Sequence, residues 1–207
     1  MTRAFITTIP LQGPLGLEKY LYEPQGCLLE SNIVTSFPIV PWINESINQE
    51  NKDDLIKIIC IRQKNEDTER NFNAFIDEIE AVGVNRNCVK SIIVTESQSK
   101  SVHTELLLSL INEIEDETKI YACMTFGTKT IPLLLLSMLN YAYKIKKHVS
   151  IEALVYGEIK RANNEVKSAK LYDVTSLIYF NNIVDQVSAL GLDDPDQLLK
   201  QLLTDTM

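Results

Sequence analysis

A short run of hydroxyl-bearing residues, with one glycine and one lysine, lies between two apolar segments of the chain. It reads MTFGTKTIP at residues 124–132. Gly127 would let backbone N–H groups approach a ligand closely, and the helix predicted after it offers the positive end of its dipole. Lys129 adds a compact positive charge. These residue types at this spacing indicate a site for a phosphate or a ribose. The alternative is that the threonines and the glycine only cap the following helix.

Two other polar groups follow predicted strands, in the sequences TTIPLQG and TESQS. Because the carboxyl ends of parallel strands meet at one edge of a sheet, we expect all three groups to lie together there. The candidate ligand-binding residues are Thr7, Thr8, Ile9, Gln12, Thr95, Glu96, Ser97, Gln98, Thr125, Phe126, Gly127, Thr128, Lys129 and Thr130.

The elements that must position these residues alternate between apolar strands and amphipathic helices. Strands are predicted at 3–9, 55–62, 90–97, 119–126, 150–159 and 169–175, and the last two flank a polar turn, KRANNEV. Helices are predicted at 67–83, 101–115, 130–147, 176–191 and 194–204. Strands that are apolar on both faces are typical of a parallel sheet covered by helices. The fold class predicted is therefore α/β, a Rossmann-like doubly wound, mainly parallel sheet.

The N-terminal part of the chain is predicted to add a β-hairpin insertion to this sheet. Residues 18–35 contain two β-prone runs around Pro24-Gln25-Gly26, which predicts a tight turn. A polar loop with a short helix is expected at 41–54. Residues 1–191 are predicted to form the main domain, and residues 192–207 a short helical tail or the start of a linker.

Composition excludes several classes of function for this chain of 207 residues. Its net charge of −8 argues against binding duplex DNA, which needs a basic face. The sequence contains neither G-x-G-x-x-G nor a P-loop motif, and His103 and His148 are far apart, so we expect no cofactor and no metal. No segment is long and apolar enough to span a membrane. The four scattered cysteines indicate a reduced, cytoplasmic protein.

The order of these motifs resembles that of CARF (CRISPR-associated Rossmann fold) proteins of type III CRISPR systems. YLYEPQGCLLESNIVTSF at 20–37 is similar to the hairpin of that family, and VYG at 155–157 and DVT at 173–175 are similar to its later motifs. MTFGTKTIP at 124–132 resembles the T-H-G-x-R-x-x-P signature. It departs from that signature at Phe126, which stands for the usual His, and at Lys129, which stands for the usual Arg; Met124 lies where an acidic residue is frequent.

The resemblance implies a sensor of cyclic oligoadenylate, the cyclic tetra- or hexa-adenylate messenger of type III CRISPR antiviral signalling. It further implies a homodimer with the ligand across the two-fold axis. A ring nuclease is the alternative, in which the ribose 2′-hydroxyl attacks its own phosphate without a metal; Lys129 and Thr8 are its catalytic candidates. A third interpretation is an unrelated Rossmann-like enzyme that uses a mononucleotide.

Overall fold

The computed structural model describes residues 1–13, 17–27, 29, 30, 32–48, 54–163 and 165–205. The strands are β1 (Thr2–Thr8), β2 (Tyr20–Leu21), β3 (Glu23–Gln25), β4 (Val34–Thr35), β5 (Leu55–Gln63), β6 (Val89–Val94), β7 (Thr118–Cys123), β8 (Ser150–Ala162) and β9 (Glu165–Asp173). The helices are α1 (Val40–Asn48), α2 (Glu66–Ala81), α3 (Lys100–Glu113), α4 (Thr130–Ile145), α5 (Ser176–Ala189) and α6 (Pro195–Asp205), with one turn of 3-10 helix at Arg86–Cys88.

Seven of these strands form one twisted sheet in the order β3-β9-β8-β7-β1-β5-β6. Strands β8, β7, β1, β5 and β6 are parallel, whereas β9 is antiparallel to β8. Helices cover both faces, so the predicted Rossmann-like doubly wound α/β fold is confirmed. The chain reverses its direction of progress across the sheet at β1, since β5 and β6 lie on one side of β1 and β7 and β8 on the other.

Two apolar layers enclose the sheet. On one face, α3, α4 and α5 pack through residues such as Leu110, Leu139 and Ile178 onto strand side chains that include Ile6. On the other face, α1 and α2 pack with Phe5 and its neighbours. Burial on both faces explains why the central strands are nearly continuous apolar runs in the sequence.

The hairpin insertion is present, but its turn is not where the sequence predicted it. Tyr20 and Leu21 of β2 pair antiparallel with Thr35 and Val34 of β4. The tight turn predicted at Pro24-Gln25-Gly26 is wrong, because Glu23–Gln25 instead form β3 and pair parallel with β9 at the edge of the main sheet. A proline is tolerated at such an edge because no partner strand needs its missing N–H on that side.

Several predicted boundaries also change. The loop expected at 41–54 is mostly the helix α1, and residues 49–53 lie outside the described residues. The polar stretch at 160–166 is not a turn throughout, since β8 continues to Ala162 and β9 begins at Glu165. Residues 206 and 207 of the predicted tail also lie outside the described part. In the described residues, no helix has the length and hydrophobicity needed to cross a membrane.

Candidate functional site

The candidate site lies where the chain changes direction across the sheet. Neighbouring strands β1 and β7 are parallel, and their carboxyl ends are at Thr8 and Cys123. Beyond Cys123, residues 124–129 form a turn, called here the signature turn, which leads into α4. In open α/β sheets, ligands bind in the crevice that such a reversal of strand order opens. The sheet therefore places the predicted turn at the position where this fold class binds its ligands.

The glycine of the signature turn is required by its surroundings. Gly127 has a φ of +104°, a value that residues with a side chain rarely adopt. A Cβ atom there would lie 2.9 Å from Cγ2 of Thr8 and 3.2 Å from Cδ1 of Ile131. The turn therefore lies directly against the end of β1, and its exposed backbone can be approached from the solvent side.

Two threonines of the turn region contact the loop after β6 and do not cap the helix. Thr128 Oγ1 donates to Gln98 Oε1 at 3.2 Å, and Thr130 Oγ1 donates to the same oxygen. The cap position of α4 belongs to Lys129, whose side chain makes no capping hydrogen bond. The structure thus brings together the turn and Gln98, as predicted, and it argues against the alternative in which the threonines serve as helix caps.

Thr125 has a structural partner of its own. Its Oγ1 accepts a hydrogen bond from the Gly157 N–H at 2.8 Å and lies 3.2 Å from Sγ of Cys123. A Cβ atom at Gly157 would lie only 2.5 Å from Cγ of Pro38, so this glycine admits the close packing of the N-terminal segment. Thr125 therefore fixes the start of the signature turn to β8.

The predicted residues at the end of β1 do not present side chains to a ligand. Thr7, Thr8 and Ile9 are 1%, 4% and 0% exposed. The Cγ2 atom of Thr8 faces Gly127, and the side chain as a whole is too buried for the catalytic role predicted for it. Burial also raises the pKa of the neighbouring Cys123 thiol, so this core cysteine, like Cys60, stays protonated as expected of a core thiol.

The loop after β6 contributes less than the sequence predicted. Thr95, Glu96 and Ser97 are exposed, and among the described residues only Gln98 of this group hydrogen-bonds to the threonines of the turn region. His103 lies in the first turn of α3, and its Nε2 is 3.4 Å from Gln98 Oε1. Gln98 therefore lies between His103 and the two threonines, Thr128 and Thr130, that donate to it.

Two adjoining hollows lie beside the signature turn. The first is an open depression of about 350 Å³ lined by Leu11, Gln12, Thr125, Phe126 and Gly127. The second, of about 180 Å³, shares Gln12, Thr125 and Phe126 with it. It extends to Tyr20, Glu18 and Arg161, which the sequence prediction did not include. The Y-x-Y pattern at residues 20–22 was the available signal for Tyr20.

The charges of this edge favour an anion at the turn. Lys129 is exposed and forms no ion pair with the described residues. By contrast, Arg161 is paired with Glu18 at 2.9 Å. A lysine without an acidic partner at the positive end of a helix is electrostatically unfavourable. An anion bound there would make the interaction energy of that lysine with its surroundings favourable.

No family model matches the sequence, and none of the curated proteins compared with it matches either. Within the described residues, no group of three or more His, Cys, Asp and Glu side chains is placed to hold a metal ion. The candidate site therefore rests on its geometry and on the resemblance of its motifs.

Replacing Gly127 by alanine should destabilise the fold by about 1–3 kcal/mol, because the new Cβ meets Thr8 and the backbone conformation is strained. Urea unfolding measures the loss. Thr8→Ser removes the methyl group that clashes, so the double variant should lose less than the sum of the single variants. Gly13→Ala is the control, since nothing lies within 4 Å of its added carbon. Strict additivity would show that the turn does not press on β1.

Proposed function

We propose that this protein is a CARF-type sensor that binds cyclic oligoadenylate in the cytoplasm. The observation that carries the proposal is the position of the signature turn. Its family-like residues Thr125 and Gly127 lie at the strand-order reversal, and the family-like Pro132 follows in the first turn of α4, whose N-terminus has no side-chain cap. Four free cysteines agree with a reducing compartment.

The chemistry of the turn suits a phosphate joined to a ribose. Backbone N–H groups at the start of α4 point toward the turn, and the helix dipole favours negative charge there. Lys129 supplies a charge that no described acidic group neutralises. Thr128 and Thr130 each donate their single hydroxyl proton to Gln98, so in this arrangement their oxygens are left to accept a hydrogen bond, as from a ribose hydroxyl. The local site can therefore hold an anion although the whole chain is acidic.

A symmetric cyclic ligand requires a symmetric site, which a second copy of the chain would supply. Helix α4 begins at the turn and carries Leu133, which is 65% exposed, in its first turn. The same helix ends with Ile145, which is 63% exposed, and Tyr143, whose ring contacts that of Tyr179 on α5. We propose that this exposed apolar side of α4, which begins next to the turn with Leu133, is covered in a homodimer.

Ring cleavage is a second candidate function, and one observation favours it. His103 lies beside Gln98, within the network that includes Thr128 and Thr130. Imidazole is a common general base and would take the proton of a ribose 2′-hydroxyl as that oxygen attacks its own phosphate. The attack breaks the bond to the 5′-oxygen of the next nucleotide, which takes a proton from water to become a 5′-hydroxyl, and a 2′,3′-cyclic phosphate is left on the attacking nucleotide.

The ligand proposal predicts that cyclic tetra- or hexa-adenylate raises the melting temperature in a concentration-dependent way, because a ligand that binds only the folded state stabilises it. Linear AMP and NAD serve as controls and should produce no comparable shift. An equal shift with NAD would support the unrelated Rossmann-like enzyme instead. Chromatography of the nucleotides after incubation decides between intact binding and cleavage.

The dimer proposal predicts twice the chain mass in light scattering at micromolar concentration. Leu133→Glu should yield monomers, because a carboxylate would be placed in an apolar interface. Leu55→Glu is the matched control, since Leu55 is 72% exposed at the opposite, amino end of the parallel strands. A monomeric wild-type protein would contradict the proposal.

Lys129→Ala should weaken binding of cyclic oligoadenylate about tenfold to a hundredfold, since it removes a charge-assisted hydrogen bond worth roughly 1.5–3 kcal/mol. The unliganded variant should be as stable as wild type or slightly more stable, because a lysine is lost from the positive end of α4. Calorimetry and thermal melts measure the two effects. Lys147→Ala, which removes an exposed lysine just past the other end of α4, should leave the affinity unchanged and should slightly lower the stability, since a lysine suits the negative end of a helix. Unaltered affinity in Lys129→Ala would remove this residue from the site.

A further inference from the structure

The second hollow, called here the Tyr20 pocket, has walls suited to a flat aromatic ligand. The rings of Tyr20 and Phe126 and the aliphatic side chains of Leu17 and Ile159 contribute to its lining. Its volume is about 180 Å³, and it adjoins the depression at the signature turn, with which it shares Gln12, Thr125 and Phe126. A molecule whose charged part lies on the turn could therefore extend its ring into this pocket.

A polar cluster at the pocket wall joins residues far apart in the sequence. Arg161 Nη2 donates to Glu18 Oε2 at 2.9 Å and to the Tyr20 hydroxyl oxygen at 2.5 Å. The Tyr20 hydroxyl in turn donates to Glu18 Oε2 at 2.7 Å. These interactions converge on one oxygen of the carboxylate. They fix the side chain of Glu18 to a strand, β8, that enters the sheet more than a hundred residues later.

The other carboxylate oxygen, Glu18 Oε1, has no hydrogen bond to the described residues and is left to accept one from a ligand. The hydrogen bond from Tyr20, together with that from Arg161, lowers the pKa of the Glu18 carboxyl, so the group stays ionised at neutral pH. An ionised carboxylate only accepts hydrogen bonds. It therefore selects a ring that presents an N–H donor.

We propose that the Tyr20 pocket binds an adenine ring and that Glu18 Oε1 accepts a hydrogen bond from its exocyclic amine. The proposal rests on the proposed function, because the phosphate of the same nucleotide would occupy the signature turn. Tyr20 and Phe126 supply aromatic surface for stacking, an interaction available to any base. Glu18 is then the residue that recognises the exocyclic amine of the base, and Arg161 and Tyr20 are residues that position it.

The test compares two cyclic tetranucleotides in calorimetry, one with adenine and one with unsubstituted purine, which lacks the amine. Wild-type protein should bind the adenine-containing tetranucleotide at least about tenfold more tightly than the purine-containing one, as expected for a hydrogen bond to a charged group. Glu18→Ala should bind both rings with similar affinity. Glu23→Ala, which changes an exposed glutamate outside the pocket, should keep the wild-type preference.

A second variant, Phe126→Ala, should weaken both ligands by a similar factor, because stacking does not depend on the amine. Tyr20→Phe keeps the ring and should reduce only the preference for adenine. Thermal melts of the free variants verify that each is folded. Two results would overturn the Tyr20 pocket proposal alone: equally tight binding of both tetranucleotides by the wild-type protein, or a preference for adenine that survives in Glu18→Ala. Failure of wild type to bind either ring would overturn the proposed function and this inference with it.

Discussion

The pairing of β1 on both of its edges determines where a ligand can bind to this protein. Strand β1 is parallel to β5 on one side and to β7 on the other, and its residues are almost completely buried. The chain therefore has to reverse its progress across the sheet at this strand. The connections beyond β1 and β7 diverge toward opposite faces, and the crevice between them is a consequence of topology rather than of any one side chain.

Close packing at this crevice holds the signature turn in one conformation. Gly127 lies so near Thr8 that a methyl group does not fit between them, and Thr125 is tied to Gly157. Gln98 then joins the loop after β6 to the same turn. The backbone at the start of α4 is consequently held in place before a ligand arrives, which reduces the entropy lost on binding. Lys129 remains the one exposed charge of the turn.

The sequence was sufficient for the sheet and the turn, because both leave strong local signals. Buried parallel strands appear as apolar runs, and the signature turn combines glycine with threonines. The edge strand β3, the ribbon of β8 and β9 and the burial of Thr8 depend on tertiary contacts, which leave no local signal in the sequence. Glu23–Gln25 lacks any apolar pattern and becomes a strand only through β9. Arg161 lies in a polar stretch that resembles a turn, yet it belongs to an antiparallel ribbon that extends beyond the apolar layers. Thr8 was predicted to contact the ligand because it follows a strand. The direction of its side chain depends on the packing of the turn against β1, which the sequence does not reveal.

We propose that two copies of this site hold one cyclic polyanion. The most direct measurement is a calorimetric titration of the wild-type chain with cyclic tetra- and hexa-adenylate, which gives both the stoichiometry and the affinity. We expect saturation at one cyclic ligand for every two chains with at least one of the two ligands. Saturation at one ring per chain, or the absence of any binding heat and thermal stabilisation with both ligands, would contradict it.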